Sequence, residues 1–353
     1  MINREETKVV HIGSVPVGGS HPIVIESMTN TDTRDIAATV AQIHQLQEAG
    51  CEIMRVAVPD TEAAAAIKHI KKQISIPLIA DIHFDYRLAL SSIENGADKL
   101  RINPGNIGSE NRVRKVAEAA KASGIPIRVG VNGGSLEKSL LAKYKGVTPQ
   151  GLAESAVMNV NLLEKFDFTD IVVSVKASNA SLLIDANKIL AQQISYPLHI
   201  GLTESGTPYK GALRSAVGLG VLLNLGLGNT IRVSLSGDPV DEIHAAKEIL
   251  AAIGLRQFGV TVIACPTCGR TDIDVAGLAL RLENRLAHVT KPITIAVMGC
   301  VVNGPGEARD ADIGIAGGKG AAALFKKGEI VRRIDESELE EELFAEIMSL
   351  LEV

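Results

Sequence analysis

Eight apolar, β-branched runs start near Ile23, Ile53, Pro77, Lys99, Pro126, Asp170, Pro197 and Thr230. They read IVIESMTN, IMRVAV, PLIADIHF, KLRINPG, PIRVGVNGG, DIVVSVKAS, PLHIGLTES and TIRVSLSGDP. Such near-continuous runs suit parallel strands buried on both faces. Helical patterns lie between them. Ile36, Val40 and Ile43 share one face, and Gly50 can end that helix. Three later helices are predicted to open on a capping residue followed by Pro, at Thr148-Pro149, Thr207-Pro208 and Asp238-Pro239. The missing N–H of Pro costs nothing at the first helical position. Eight strand–helix units in series favour a closed (β/α)8 TIM barrel over an open sheet. The segment VVHIGSVPVGGSHP before them reads as a hairpin at the barrel's lower end.

After Gly254 the pattern changes. VTVIACPTCG reads as a strand running into a loop, and Thr271 to Val289 as a helix. ITIAVMGC, DIGIAGG and EIVRRI read as strands, and the acidic segment from Ser337 to Val353 as a helix. The expected class is therefore α/β, with a barrel over 1–254 and a small α/β domain over 255–353. A chain of 353 residues has room for both.

Composition narrows the partners. Formal net charge is −5 and aromatics are 3% with no Trp, so neither a basic field nor a stacking surface calls for nucleic acid. The start, MINREETKVV, lacks the apolar core of a signal peptide. The most apolar stretch, Ala216 to Leu227, is short and broken by Gly218, Gly220 and Asn224, and reads as a buried helix, not a membrane span. A cytoplasmic protein is expected. In a reducing compartment its four cysteines do not suggest a disulfide framework.

Three of those cysteines suggest a metal. Cys265 and Cys268 form a C-x2-C at a strand end, and Cys300 follows another strand. Zinc sites and iron–sulfur clusters both use this arrangement. A zinc ribbon wants a second such pair, and none is present. A redox dithiol leaves Cys300 without a purpose. The spacing favours a cluster and leaves zinc and dithiol open. Three thiolates leave a fourth position, with Cys51 and Glu307 as candidates. Cys51 precedes the second strand, at the lower end of the barrel, and reads as a small buried apolar residue. Glu307 follows a Gly-Pro-Gly turn that can fold it back toward Cys300. A carboxylate is a harder, more labile iron ligand than a thiolate, so such a site can exchange it for substrate.

A second group lies at the C-terminal strand ends, where TIM-barrel enzymes place their chemistry. These ends carry Asn30, Arg55, Arg101, Asn103, Arg128, Asn132, Lys176, Glu204, Arg232 and Ser234. Five are cations from five strands. A single strand cation is readily a salt bridge within the barrel. Five with few evident carboxylates imply an anionic ligand, because buried charge must be paired. Arginine grips phosphate bidentately, so a di- or polyphosphate suits the count. Glu204, a carboxylate among cations, is a candidate acid or base. Asp81 and His83 end strand three, where they either support the residues that touch a ligand or take part in the chemistry, whereas His199 reads as a core histidine.

Together these residues resemble one family. The segments Met28–Thr33 (MTNTDT), Asp81–His83 (DIH), Arg101–Gly105 (RINPG), Arg232–Asp238 (RVSLSGD), Cys265–Arg270 (CPTCGR) and Gly299–Glu307 (GCVVNGPGE) are similar to those of the 4-hydroxy-3-methylbut-2-en-1-yl diphosphate synthases, in their short bacterial form. The resemblance covers nearly the whole chain, and its most specific part is the last segment with the C-x2-C upstream. It implies reductive opening and dehydration of 2-C-methyl-D-erythritol 2,4-cyclodiphosphate, in the non-mevalonate isoprenoid route. It implies a [4Fe–4S] cluster on Cys265, Cys268, Cys300 and Glu307, and electrons from reduced flavodoxin or ferredoxin. Arg55, Arg101, Arg128, Lys176 and Arg232 then hold the diphosphate. Asn132, Ser234 and Glu204 make further contacts, with Glu204 a proton donor.

The chain path raises a difficulty. One helix separates strand eight from the cluster domain and returns the chain to the lower face, far from the mouth. The resemblance implies a remedy, a head-to-tail homodimer in which each cluster domain caps the partner's barrel. Two other readings compete. A pterin-binding transferase has a similar barrel and a diphosphate-bearing substrate but needs no cysteine trio. A zinc-ribbon binding module conflicts with the acidic charge and scarce aromatics.

Overall fold

The computed structural model describes residues 3–300, 306 and 308–351. The chain forms two compact units, one through Arg256 and one from Gln257.

The first unit opens with an antiparallel hairpin, β1 (Val10–Ile12) and β2 (Val15–Val17). Its Ile12 and Val17 pack on Val24, Ile53 and Ile79 from the strands that follow. Those strands alternate with helices: β3 (Val24–Met28), α1 (Ile36–Ala49), β4 (Ile53–Ala57), α2 (Thr61–Lys71), β5 (Leu78–Asp81), α3 (Tyr86–Glu94) and β6 (Lys99–Ile102). Next come α4 (Pro104–Ile107), α5 (Glu110–Ser123), β7 (Ile127–Asn132), α6 (Lys138–Tyr144), α7 (Pro149–Glu164), β8 (Ile171–Lys176) and α8 (Ala180–Leu190). The unit ends with β9 (His199–Ile200), α9 (Pro208–Asn224), β10 (Thr230–Ile231) and α10 (Pro239–Ala252).

The sheet order is β8-β7-β6-β5-β4-β3-β10-β9, with every pairing parallel. A bridge between Val173 and Leu198 joins its two ends, supported by the Val173 N–H to Pro197 carbonyl bond of 2.9 Å. The expected (β/α)8 barrel is therefore present. Its helix starts follow the predicted chemistry. Pro149, Pro208 and Pro239 open α7, α9 and α10, and Thr148 and Asp238 accept amide N–H bonds as caps. Gly50 ends α1 in the left-handed region, at φ 107°.

One expectation fails. The apolar stretch of α9 is not a buried helix. Gly218, Leu219, Leu222 and Leu223 face inward, but Val217 and Val221 are 60% and 42% exposed. Its apolar residues occupy both faces, so hydropathy alone overstated burial. Among the described residues no helix is long and apolar enough to cross a membrane.

The second unit carries a five-stranded sheet. Its elements are β11 (Val260–Ala264), α11 (Val275–Leu286), β12 (Ile293–Met298), β13 (Ile313–Gly318), β14 (Ala321–Lys326), β15 (Glu329–Asp335) and α12 (Leu339–Leu351). The sheet runs β11-β12-β13-β14-β15, parallel across the first three and antiparallel thereafter. Leu278 and Leu282 of α11 and Leu343 and Ile347 of α12 share one core with Ile295, Val297, Ile313 and Ile315. The sequence pattern had not shown β14, whose AAALFK alternates weakly.

Candidate active site and cysteine centre

Strand register builds the barrel mouth. Residues two apart on a strand face the same way. Arg101 pairs with Asp81 on one side and Arg128 on the other, so three charged side chains stand abreast across β5, β6 and β7. Asn132 pairs with Lys176 two layers higher, with Gly130 and Ser174 between. Gly130 leaves the room this needs, since a Cβ there would lie 2.5 Å from Arg101 Nε.

These residues surround a cavity of about 160 Å³. Arg55, Arg101, Arg128, Lys176, Arg232, Asn132 and Ser234 all line it, with Asp81, His83, Ser174 and Thr203 beside them. Three residues predicted for the site lie outside this lining. Asn30 is exposed and binds Gln42, accepting from its Nε2 at 2.6 Å. Asn103 is buried and caps α4, accepting from the Gly105 N–H at 3.0 Å. Glu204 is exposed on the loop after β9 and holds a left-handed backbone, φ 54°. That conformation is strained for a non-glycine residue. Neighbouring bonds fix it: Arg214 Nη1 donates to the Ser205 carbonyl at 3.0 Å, and Ser205 Oγ donates to the Ser234 carbonyl.

The expected shortage of carboxylates needs correction. Three carboxylates pair the arginines: Arg128 Nη1 donates to Glu26 at 2.7 Å, Arg101 Nη1 to Asp81 at 3.1 Å and Arg232 Nε to Glu242 at 3.2 Å. Lys99, fully buried, adds a bond to Glu26 at 3.1 Å. Glu26, Lys99 and Glu242 were missed in the sequence. Glu26 sits inside an apolar run, and Glu242 lies on a helix that only the fold brings to the mouth. Two cations remain with no carboxylate in hydrogen-bond reach. Arg55 makes only long ion pairs, 3.9 Å from Nε to Asp81 and 4.0 Å to Glu26, and its Nε has no hydrogen-bond partner. Lys176 has no hydrogen bond or ion pair among the described residues. Six cations thus face three carboxylates.

Electrostatics follow this layout. Burial raises the Glu26 carboxyl, but Arg128, Lys99 and Arg55 overcome it and hold the group well below the usual carboxylate range. Asp81 is held low in the same way, by Arg55 and Arg101 against burial. Burial pushes Lys99 down to about 8. His199 is a core histidine, fully buried with Nδ1 2.8 Å from Thr230 Oγ1. Burial and then Arg128 keep it neutral.

The cysteines lie at the ends of adjacent parallel strands. Cys265 follows β11, Cys300 follows β12 by two residues, and the Gly299 N–H donates to Cys265 Sγ at 3.1 Å. The C-x2-C loop is tied to the same strand end through the Asp272 N–H to the Gly299 carbonyl, 3.0 Å. Cys268 is exposed, and hydrogen bonds from Arg270 hold its thiol below the usual value. An amide bond to sulfur and a lowered thiol both favour thiolates, so the donor set fits a thiolate-bound metal or cluster. Among the described residues no three His, Cys, Asp or Glu side chains form a closed ligand set. The expected fourth ligand, Glu307, lies outside the described residues.

Cys51 is different. It is buried, its Sγ lies 3.2 Å from the Ile53 carbonyl, and burial pushes its thiol up to about 12. We expect Cys51→Ala to bind metal as wild type does and to keep activity, at a stability cost of about 1 kcal/mol. Metal analysis and thermal melting check this; metal loss would mark Cys51 as a ligand.

Residues 7–247 match the GcpE TIM-barrel domain, and 261–349 match the GcpE protein C-terminal domain. The chain belongs to the GcpE family. A GcpE-family relative in Caldanaerobacter subterraneus subsp. tengcongensis is 58% identical over 99% of this chain and 98% of its own length. Another in Clostridium perfringens is 57% identical over 97% of this chain and 98% of its own. Both are named 4-hydroxy-3-methylbut-2-en-1-yl diphosphate synthase (flavodoxin). Among solved structures, Xanthomonas albilineans dihydropteroate synthase in complex with 7,8-dihydropteroate superposes with TM-score 0.50 at 14% identity, over 70% of this chain and 98% of that one. That likeness concerns the fold alone.

Proposed function

We propose that this GcpE chain reduces 2-C-methyl-D-erythritol 2,4-cyclodiphosphate to 4-hydroxy-3-methylbut-2-enyl diphosphate. The observation that carries the reading is the cavity's charge. A cyclic diphosphate bears one negative charge on each phosphorus, and Arg55 and Lys176 are the two basic groups of the cavity with no carboxylate in hydrogen-bond reach. Arg101, Arg128 and Arg232 keep further donors for phosphoryl oxygens, and Asn132 and Ser234 add neutral ones. Asn30 and Asn103 shape the rim through their loop bonds.

In the reaction the C2–O bond to the diphosphate breaks and the C3 oxygen leaves as water, with two electrons and two protons consumed. The cations stabilise charge developing on the departing diphosphate. Glu204, on its strained loop, is the proton donor. A [4Fe–4S] cluster held by Cys265, Cys268, Cys300 and Glu307 supplies single electrons, which no side chain can do. Glu307 is the exchangeable ligand of that set. Residues 1–254 are the substrate domain and 255–353 the cluster domain. Reduced flavodoxin is the donor, with ferredoxin as the alternative, in a cytoplasmic head-to-tail homodimer.

Anaerobically purified protein should be brown, carry about four irons per chain, and turn over the cyclodiphosphate with reduced flavodoxin. A colourless protein holding one zinc and showing no turnover would overturn the reading. Arg101→Ala should raise KM roughly 10- to 100-fold, the loss of one charge-assisted bond. The visible spectrum of the cluster should not change.

A further inference from the structure

We propose that Lys176 is a neutral amine in the free enzyme and gains a proton as the cyclic diphosphate binds, so that substrate binding draws one proton from solvent. This rests on the diphosphate reading of the cavity.

Lys176 ends β8 and reaches the cavity. Charged groups face the same cavity from several elements: Glu26 on β3, Arg55 on β4, Asp81 on β5 with His83 just beyond it, Arg101 on β6, Arg128 on β7 and Arg232 beyond β10, with the neutral His199 on β9. Both carboxylates among them are taken: Glu26 accepts from Arg128 at 2.7 Å and Lys99 at 3.1 Å, and Asp81 from Arg101 at 3.1 Å. Three of these guanidinium groups, those of Arg55, Arg128 and Arg232, therefore bear on one amine that has no partner of its own. A guanidinium does not give up its proton in a protein, whereas a lysine does so readily when buried. The amine is the group that yields. Lys176 is half-buried at the cavity wall; lost hydration there, and then Arg55, Arg232 and Arg128, hold its pKa below the ordinary lysine value.

Bound diphosphate reverses this balance. Each phosphorus of the cyclic substrate has one strongly acidic oxygen, so the ligand itself does not titrate near neutral pH. Its two negative charges enter a site where Arg55 is held only by long ion pairs, 3.9 Å to Asp81 and 4.0 Å to Glu26, with no carboxylate in hydrogen-bond reach. One charge offsets Arg55, and the second favours the Lys176 ammonium. The pKa is low in the free enzyme and higher in the complex. Between those two values affinity falls about tenfold per pH unit as pH rises, with about one proton taken up per ligand. Below the free-enzyme value no proton is taken up.

The oxidised holoenzyme, without reductant, should be titrated calorimetrically with the cyclodiphosphate. Paired buffers of different ionisation enthalpy, between about pH 7 and about pH 9, report proton uptake. Wild type should take up as much as about one proton. Lys176→Arg should bind without uptake, because its guanidinium is already charged. Lys176→Met should bind at least about tenfold more weakly, also without uptake. His199→Gln should keep the uptake. Binding without uptake in wild type overturns this proposal alone. Uptake that persists in Lys176→Arg, or disappears in His199→Gln, assigns the proton elsewhere and also overturns it. No binding in any buffer overturns the diphosphate reading together with it.

Discussion

Cys300→Ser is expected to purify without brown colour, to hold iron far below about four per chain, and to lose turnover completely. Cys300 stands two residues past β12, and the pairing of β12 with β11 carries the strand ends of Cys300 and Cys265 side by side. A serine hydroxyl stays protonated where a thiol becomes a thiolate, so one of three sulfur donors is lost. The fold should survive. The core of the second unit rests on Leu278, Leu282, Ile295, Ile315 and Leu343, none of which touches the substitution's chemistry. Far-UV circular dichroism should therefore match wild type. The barrel cavity is built from residues of the first unit, so calorimetric affinity for the cyclodiphosphate should change less than a few-fold. Retained iron with retained turnover would remove Cys300 from the ligand set. Retained iron with lost turnover would make it a catalytic group instead.

The contrast between Cys300 and Cys51 shows what the chain reveals before it folds. Position on a strand separated them, since one precedes β4 and the other follows β12. The barrel was legible because each strand is a short apolar run and each helix start carries its own capping chemistry. The same local logic failed for α9, where Val217 and Val221 read as core but face solvent. Helical burial depends on what neighbours a face, and hydropathy does not record it.

The site was legible in its cations and not in their partners. Arg101 and Lys176 lie at the ends of β6 and β8, so position exposed them, whereas Arg128 is the second residue of β7 and sits inside the barrel. Glu26 was hidden because a lone carboxylate in an apolar strand has no local signature. Side-chain parity was the available signal. Glu26 in β3 has Arg55, Lys99, Arg128 and His199 on the inner face of the other strands, and their ion-pair distances to it run from 2.7 to 4.0 Å. Counting inward positions strand by strand would have found a polar barrel core. Glu242 could not be found this way, because it approaches Arg232 only after α10 folds back on the barrel.

Glu26→Ala should be the most destabilising single change in the barrel, by about 3–5 kcal/mol. Arg128, Lys99 and Glu26 are each 0–1% exposed. Removing the carboxylate leaves an arginine and a lysine buried without their partner. Lys99, already pushed down to about 8, can relieve part of this by shedding its proton. Arg128 cannot. Adding Lys99→Met should therefore recover part of the loss, and a failure to recover any would place the damage in packing instead of charge. Glu26→Gln keeps an acceptor for Arg128 and should fall between wild type and Glu26→Ala. The pH dependence has a fixed sign. Because the folded carboxyl is held low, its contribution is complete above the unfolded value near about 4.3 and is lost as pH falls toward the folded one. Wild type should lose stability on acidification below about pH 4, and Glu26→Gln should lose less over that interval. Denaturant melts at several pH values test this. Equal stability of Glu26→Ala and wild type, with equal KM, would mean that the charged core neither holds the barrel nor positions Arg128 for the diphosphate.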